Sequence, residues 1–335
     1  IDGGIWEAVT NFGTSQGLIH ITMPNSCVNT GTLTLRNLTL KMGKCRDAFG
    51  AFHPAIDINH DGFDPFGPHP PFTPVAQQWM DLVIDNVTVM SELGNLNQDL
   101  QAYALWIWSS ASVAQKGFRN IWISKLRCTG IGGLYLFNND PEYLDIDDMQ
   151  VRDAPDYGLR IMANYGASHY PNGYWRVRNS SIIGSRNACA YIVGSQDGTG
   201  TVTTPVDKRL ELTNNTFLNG AKNGAGIDAL KSSIWCGGFV DVKSEGNTWG
   251  DIQSVPTQTR LDAYDYITNL VERNNYYVGT ITTEFRGAHL TSRYVERRRA
   301  GIPTDTAATG SVHHRTDGTA GNTFYVREPS AWVPK

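Results

Sequence analysis

No stretch of this chain is apolar for long enough to cross a bilayer. Every hydrophobic run falls well short of the ~18 residues that a spanning helix needs, so no membrane insertion is expected. Charge of one sign is scarce as well. Lys and Arg number 28 against 32 Asp and Glu, and so near a balance leaves no basic surface with which to hold a nucleic acid. Cysteine is sparse: Cys27, Cys45, Cys128, Cys189 and Cys236 are odd in number and loosely spaced. No C-x-x-C or Cys/His cluster points to zinc. Reduced thiols packed as small core residues fit this usage, and so does folding in a reducing cytoplasm. The chain opens Ile1-Asp2-Gly3-Gly4-Ile5-Trp6, without initiator Met or signal peptide and as if inside a coil. An anchoring segment is expected ahead of it.

What the chain has is a repeat. An apolar residue, any residue, Asn or Asp, one or two residues and a second apolar residue recur at Leu35–Leu40, Ile84–Val89, Phe118–Ile123, Ile146–Val151 and Val177–Ile182. Weaker copies follow around Asn214, Asn247 and Asn274. From Asn86 the steps to Asn120, Asp148, Asn179, Asn214, Asn247 and Asn274 are 34, 28, 31, 35, 33 and 27 residues. A period of roughly 20–50 residues marks a solenoid, and these units are β-rich. Asn tolerates the left-handed backbone of a sharp bend, and stacked amides can bond from coil to coil. The 34 glycines suit a turn-dense β protein. The fold expected is all-β, a right-handed single-stranded parallel β-helix over residues 1–285. A polar, Arg-rich linker over 286–309 and a small C-terminal β hairpin over 310–335 follow it.

A second strand set lies 15 to 20 residues after each marker, alternating with period two. Ile56, Leu105, Leu134, Leu159, Ala190 and Ile227 align as one inward stack, and Ile58, Ile107, Leu136, Ile161, Ile192 and Ala229 as the next. Between them the outward residues are Asp57, Trp106, Tyr135, Arg160, Tyr191 and Asp228. With rungs ~4.8 Å apart these form a column of roughly 25 Å, long enough for several sugar rings. Aromatic faces stack on pyranose rings while Arg and Asp bond hydroxyls or carboxylates. A cross-strand ladder that only stabilises the sheet, or a face buried against another subunit, would use the same residues. The next outward column, Trp108, Phe137, Met162, Val193 and Leu230, is apolar and belongs under a loop or in a trimer interface.

Glycosidic hydrolysis needs two carboxyl groups. Asp140 and Asp197 stand at the same end of their strands two coils apart, roughly 9 to 10 Å, near the upper limit for an inverting pair. Both also sit in turn-like triplets. Asp228, in the column itself, is the next candidate. A lyase would use Arg160 to neutralise a uronate carboxylate, with His169, Tyr165 or Tyr170 moving protons. Asp57, Asn59 and Asp61 have a D-x-N-x-D-G spacing that supplies oxygens for a structural calcium ion, but Pro65 and Pro68 replace the closing ligands. A turn satisfied by its own side chains is the simpler reading, and no cofactor is required. His313 and His314 point to opposite faces of a strand, so a shared metal is not expected. The sequons at Asn37, Asn86, Asn179 and Asn214 coincide with the turn column, so glycosylation there is not expected.

Gly310-Ser311, Arg315-Thr316-Asp317-Gly318, Ala320-Gly321, Thr323 and Tyr325-Val326-Arg327-Glu328, followed by Trp332, resemble a terminal segment of phage tail and tailspike proteins. That resemblance, over about 25 residues, implies a trimeric virion protein that binds or degrades a bacterial surface or environmental glycan. Asn59-His60-Asp61-Gly62-Phe63-Asp64 is similar to the N-T-D-G-x-D motif of polygalacturonase-type β-helix hydrolases. No later paired-Asp, G-H-G or R-I-K motif accompanies it, so that activity is not carried over. The function expected is a tailspike-type polysaccharide depolymerase, acting by hydrolysis. β-Elimination on the same face, or a non-catalytic receptor-binding or decoration protein of the virion, is the alternative.

Overall fold

The computed structural model describes residues 1–8, 18–23, 31–42, 54–60, 80–91, 102–108, 118–137, 141–163, 172–194, 206–221, 232–253, 260–279, 283–286, 290–299, 307–315, 317 and 324–335. Among them the regular structure is all strand, and the strands join into one long, mostly parallel ladder. Over most of the ladder, strands pair not with their sequence neighbours but with strands of the adjoining coils. Tyr174–Arg178 pairs with Tyr143–Asp147 on one side and Val206–Thr213 on the other, each about one repeat away. The chain therefore coils, and each turn of the coil adds one rung to three rows of strands.

The first row precedes the marked bend and the second follows it, as in Tyr174–Arg178 and Ser181–Ile183. The third row contains Ile19–Met23, Ile56–His60, Tyr103–Trp108, Gly132–Phe137, Leu159–Met162, Ala190–Val193 and the start of Ser232–Glu245. The first bend is held by residues with positive φ: Asn37, Asn86, Lys125, Asp148, Asn179, Asn214, Gly246 and Asn274. Only side chains that tolerate the left-handed region, or Gly, are comfortable there. Two markers read from the sequence are thus displaced. Asn120 lies within a strand, paired with Asp81 and donating to its Oδ1 at 2.8 Å, while Lys125 makes the bend. Gly246 makes the bend beside Asn247.

The residue after the bend faces inward. It is apolar in the earlier coils (Leu38, Val87, Leu126, Met149) and then becomes Ser180, Asn215, Asn247 and Asn275, all buried. These form a ladder of side-chain hydrogen bonds. The Ser180, Asn215 and Asn247 amides donate to Oδ1 of Asn215, Asn247 and Asn275 at 3.0, 2.9 and 3.0 Å. Their Nδ2 groups donate to the carbonyls of Val177, Leu212 and Ser244. The corner backbone, which a tight bend leaves without strand partners, is satisfied in this way.

The core is a set of vertical stacks. Leu82, Ile121, Leu144, Trp175, Leu210, Val242 and Leu270 succeed one another rung by rung, all buried. The stack ends at Arg293, whose Nε donates to Glu272 Oε2 at 2.7 Å with both side chains buried. An ion pair thus closes the last described rung of the core, where two charges satisfy each other out of water. Leu290–Arg299, read from the sequence as linker, is a strand of the same stack paired with Arg260–Gly279. Arg293 and Val295 face inward there, a period-two signal that the surrounding arginines mask. Val312–Arg315, Phe324–Arg327 and Trp332–Pro334 then form an antiparallel meander whose first strand continues the parallel ladder. Within it His313 is buried and His314 exposed. Cys128, Cys189 and Cys236 are free and buried, and burial pushes the Cys189 thiol up to about 12; Cys27 and Cys45 lie outside the described residues. No helix among the described residues is long and apolar enough to cross a membrane.

Candidate functional site

The outward column of the third row is in register. His20, Asp57, Trp106, Tyr135, Arg160 and Tyr191 are successive partners. The partner of Tyr191 is Trp235, where the sequence reading put Asp228. Ile234 and Cys236 correspondingly continue the inward stacks in place of Ile227 and Ala229. Ser232–Glu245 is the strand that pairs here, and both segments show the same period-two pattern. Asp228 lies outside the described residues, as do Asp140, Asp197, His169, Tyr165, Tyr170 and Asp61. Nothing is described of the Asn59 side chain. Asp57 Oδ2 lies 2.9 Å from His20 Nδ1, so this carboxylate faces an imidazole. Among the described residues no cluster of three or more His, Cys, Asp or Glu could hold a metal ion.

Along the column the environment changes. Trp106 and Tyr135 are only 6% and 8% exposed and stack at 5.5 Å between ring centroids. Tyr103 reaches into the same cluster because Gly132 offers no Cβ. One built there would lie 2.6 Å from Tyr103 Cδ1 and 2.7 Å from the Tyr157 carbonyl oxygen. Phe137 and Met162 of the next outward column pack against this cluster. Farther along, Tyr191 and Trp235 are half-buried and nearly parallel, 4.8 Å apart. Between the two regions stands Arg160, its guanidinium carbon 4.6 Å over the Tyr135 ring and 5.2 Å over Tyr157.

The sequence reading missed the carboxylate beneath Arg160. Asp156, 1% exposed at its side chain, accepts from Tyr103 Oη at 2.8 Å and Asn187 Nδ2 at 2.6 Å and lies 3.5 Å from Arg160 Nη1. Burial raises its pKa, against the opposing pull of Arg160 and the two hydrogen bonds. Arg160 lies four residues beyond it, but the loop conformation that turns Asp156 inward leaves no periodic signal.

A second outward surface was missed altogether, because period two was read outward on only one strand set. On the first row Trp122, Tyr143 and Tyr174 are half-buried and follow one another at 5.9 and 6.0 Å. Arg176 covers Tyr143 at 5.6 Å and holds Asp145 through two bonds of 2.7 and 2.6 Å. Beyond Tyr174 opens a groove of about 390 Å³ across four rungs, lined by Tyr174, Arg209, Glu211, Asp241, Lys243, Asn269, Val271 and Arg273 among others. Val271, in line with Glu211 and Lys243, is the short side chain that makes the depression.

Two carboxyl groups stand in this groove. Arg209 pairs with Asp241 and Glu211 with Lys243, so Glu211 and Asp241 are one rung and two residues apart, about 8 Å between backbones. Asp241 Oδ1 accepts from Asn269 Nδ2 at 2.9 Å, and its Oδ2 lies 3.3 Å from Arg209 Nε. Glu211 accepts the Tyr174 hydroxyl, whose pKa is pushed up to about 12 by burial and by that carboxylate. Lys243 is held by Glu245 at 2.9 Å. Aromatic faces, paired carboxyls and exposed cations along one path match the needs of a saccharide chain.

No family model, curated protein or solved structure matches this chain. The functional reading therefore rests on the residues themselves.

Proposed function

We propose that this chain is a tailspike-type right-handed, single-stranded parallel β-helix that binds a bacterial surface or environmental polysaccharide and hydrolyses it. Handedness follows from the general rule that parallel crossover connections are right-handed in about 98% of cases. The observation that carries the reading is the first-row groove, where Glu211 and Asp241, about 8 Å apart at the backbone, line one path beside Tyr174 as the two carboxyl groups that glycosidic hydrolysis needs. Asp241, oriented by Asn269 and Arg209, takes a proton from water as the water oxygen bonds the anomeric carbon. Glu211 gives its proton to the glycosidic oxygen as the C–O bond breaks. No metal enters this scheme. The C-terminal meander, carrying the phage-type run, supports a place on the virion, with assembly in the host cytoplasm and a homotrimer as the working unit.

Chromatography of a panel of capsular and acidic polysaccharides after incubation tests the proposal. Chain shortening with new reducing ends, lost in Glu211→Gln and Asp241→Asn but kept in Asp140→Asn and Asp197→Asn, is the expected result. Shortening lost only in the Asp140 or Asp197 variants would move catalysis off the groove. Unsaturated products would instead mean β-elimination. The burial of Trp106 and Tyr135 favours a second reading for the column face, a structural ladder in a receptor-binding virion protein without catalysis. Tight binding with no change in polymer size across the panel is what that reading expects.

A further inference from the structure

Arg160 is a partly buried cation with a donor that has no partner. Its Nε is buried without a hydrogen-bond partner. Among the described residues its one ion-pair contact is Asp156, at 3.5 Å, and that carboxylate already accepts from Tyr103 and Asn187. The side chain keeps 22% of its surface open. A guanidinium carries five donors in a planar fork, and buried donors left unmade are costly enough that each calls for an explanation. Burial disfavours ionisation of Asp156, against the opposing pull of Arg160 and its two hydrogen bonds. The partly exposed guanidinium stands between the Tyr135 ring and the half-buried Tyr191–Trp235 stack.

We propose that Arg160 is the receptor for the carboxylate of an acidic sugar, with the sugar ring resting against the outward side of the Tyr191–Trp235 pair. A planar carboxylate matches the guanidinium fork through two parallel bonds, which a tetrahedral anion matches less well. Tyr191 and Trp235 are stacked on each other, so the sugar meets the outward side of the pair rather than the faces between them. This site lies on a different row from the groove and needs no cleavage to hold. It makes the third row an anchoring surface for uronate-containing chains.

The test uses the full chain labelled with ¹⁵N-arginine, the Arg160 Nε resonance being assigned by its loss in Arg160→Lys. Glucuronate, glucose and sulfate are titrated in parallel. Glucuronate should shift the Arg160 Nε signal saturably, glucose should not, and sulfate should bind at least ~10-fold more weakly. Arg160→Gln should weaken glucuronate ~10- to 100-fold, the range of a hydrogen bond to a charged group. Tyr191→Ala, which removes a half-buried ring and leaves Arg160 in place, should weaken it while sulfate binding is unchanged. An unmoved Nε signal at saturating glucuronate, or equal affinity for glucose, overturns the proposal. Sulfate matching glucuronate would reduce the site to an adventitious ion only and overturn it equally. Because glucuronate is not a substrate, these outcomes are independent of whether the groove hydrolyses a polymer.

Discussion

Replacing Asn247 by Ala removes the middle of the buried amide ladder. Asn247 Oδ1 accepts from the Asn215 amide at 2.9 Å and from Asn215 Nδ2 at 3.0 Å. Its Nδ2 donates to the Leu212 carbonyl at 2.8 Å and to Ser244 Oγ at 3.1 Å. The variant leaves a buried backbone N–H and a buried C=O without their side-chain partners, in a corner closed to water. At roughly 1–3 kcal/mol for each such group, the expected loss is about 4 kcal/mol. Asn179→Ala is the matched control. Asn179 is exposed at the bend itself, so the variant loses the left-handed backbone preference, about 1 kcal/mol, and one solvent-exposed bond from its Nδ2 to Asp147 Oδ1, but leaves no buried group without a partner. In a stacked array each coil is held chiefly by its neighbours, so the broken interface should also split unfolding into two transitions. Urea unfolding followed by circular dichroism reads the loss. Amide exchange locates it, with the Asn215 N–H losing protection first. If Asn247→Ala cost no more than Asn179→Ala and left the Asn215 amide protected, the ladder would not be holding the corner.

Gly132→Ala should destabilise by about 1–3 kcal/mol, the range for overpacking, because its methyl meets the Tyr103 ring and the Tyr157 carbonyl; thermal unfolding checks this. Arg293→Ala should cost about 3–5 kcal/mol by stranding buried Glu272, whereas Glu272→Leu with Arg293→Met should be near neutral in denaturant unfolding. Burial opposes ionisation of Asp145, but the bonds from Arg176 and Arg178 outweigh it and its pKa is lowered. Its contribution is therefore present above the ordinary carboxylate value and fades as pH falls through the depressed one. Asp145→Asn should be less stable than the parent near neutrality, with the gap closing in acid. Asp156, raised by burial, works the other way. The parent should lose stability as pH rises from the ordinary carboxylate value through the raised one, and that slope should vanish in Asp156→Asn.

Much of the coil was legible because two periodicities coincide in the sequence. Asn at the bend and alternating apolar residues in the third row each repeat once per coil, and together they placed Trp106, Tyr135, Arg160 and Tyr191 in one column. The reading slipped where a different residue could do the same physical job. Lys125 and Gly246 adopt the left-handed bend without being Asn, and Asn120 sits in a strand because its side chain serves Asp81. Ile227–Ala229 and Ile234–Cys236 offer the same alternation, and only the pairing partner of Tyr191 tells them apart. Leu290–Arg299 was hidden by its arginines, one of which turns inward to Glu272. The groove is formed by side chains from separate rungs, and a depression at Val271 has no signature along the chain. Its outward polar residues at Arg209, Glu211, Asp241 and Lys243 were readable by the same alternation that found the column. Asp156 was not, since its role depends on a loop turning it under Arg160.

The most direct test is a crystal of the full chain soaked with an oligosaccharide released from a polysaccharide that it binds. The account predicts sugar density along Tyr174, Glu211 and Asp241, with a glycosidic oxygen within about 2.6–3.2 Å of a Glu211 carboxyl oxygen. Density that bypasses this groove, under conditions where solution binding is saturated, would contradict it.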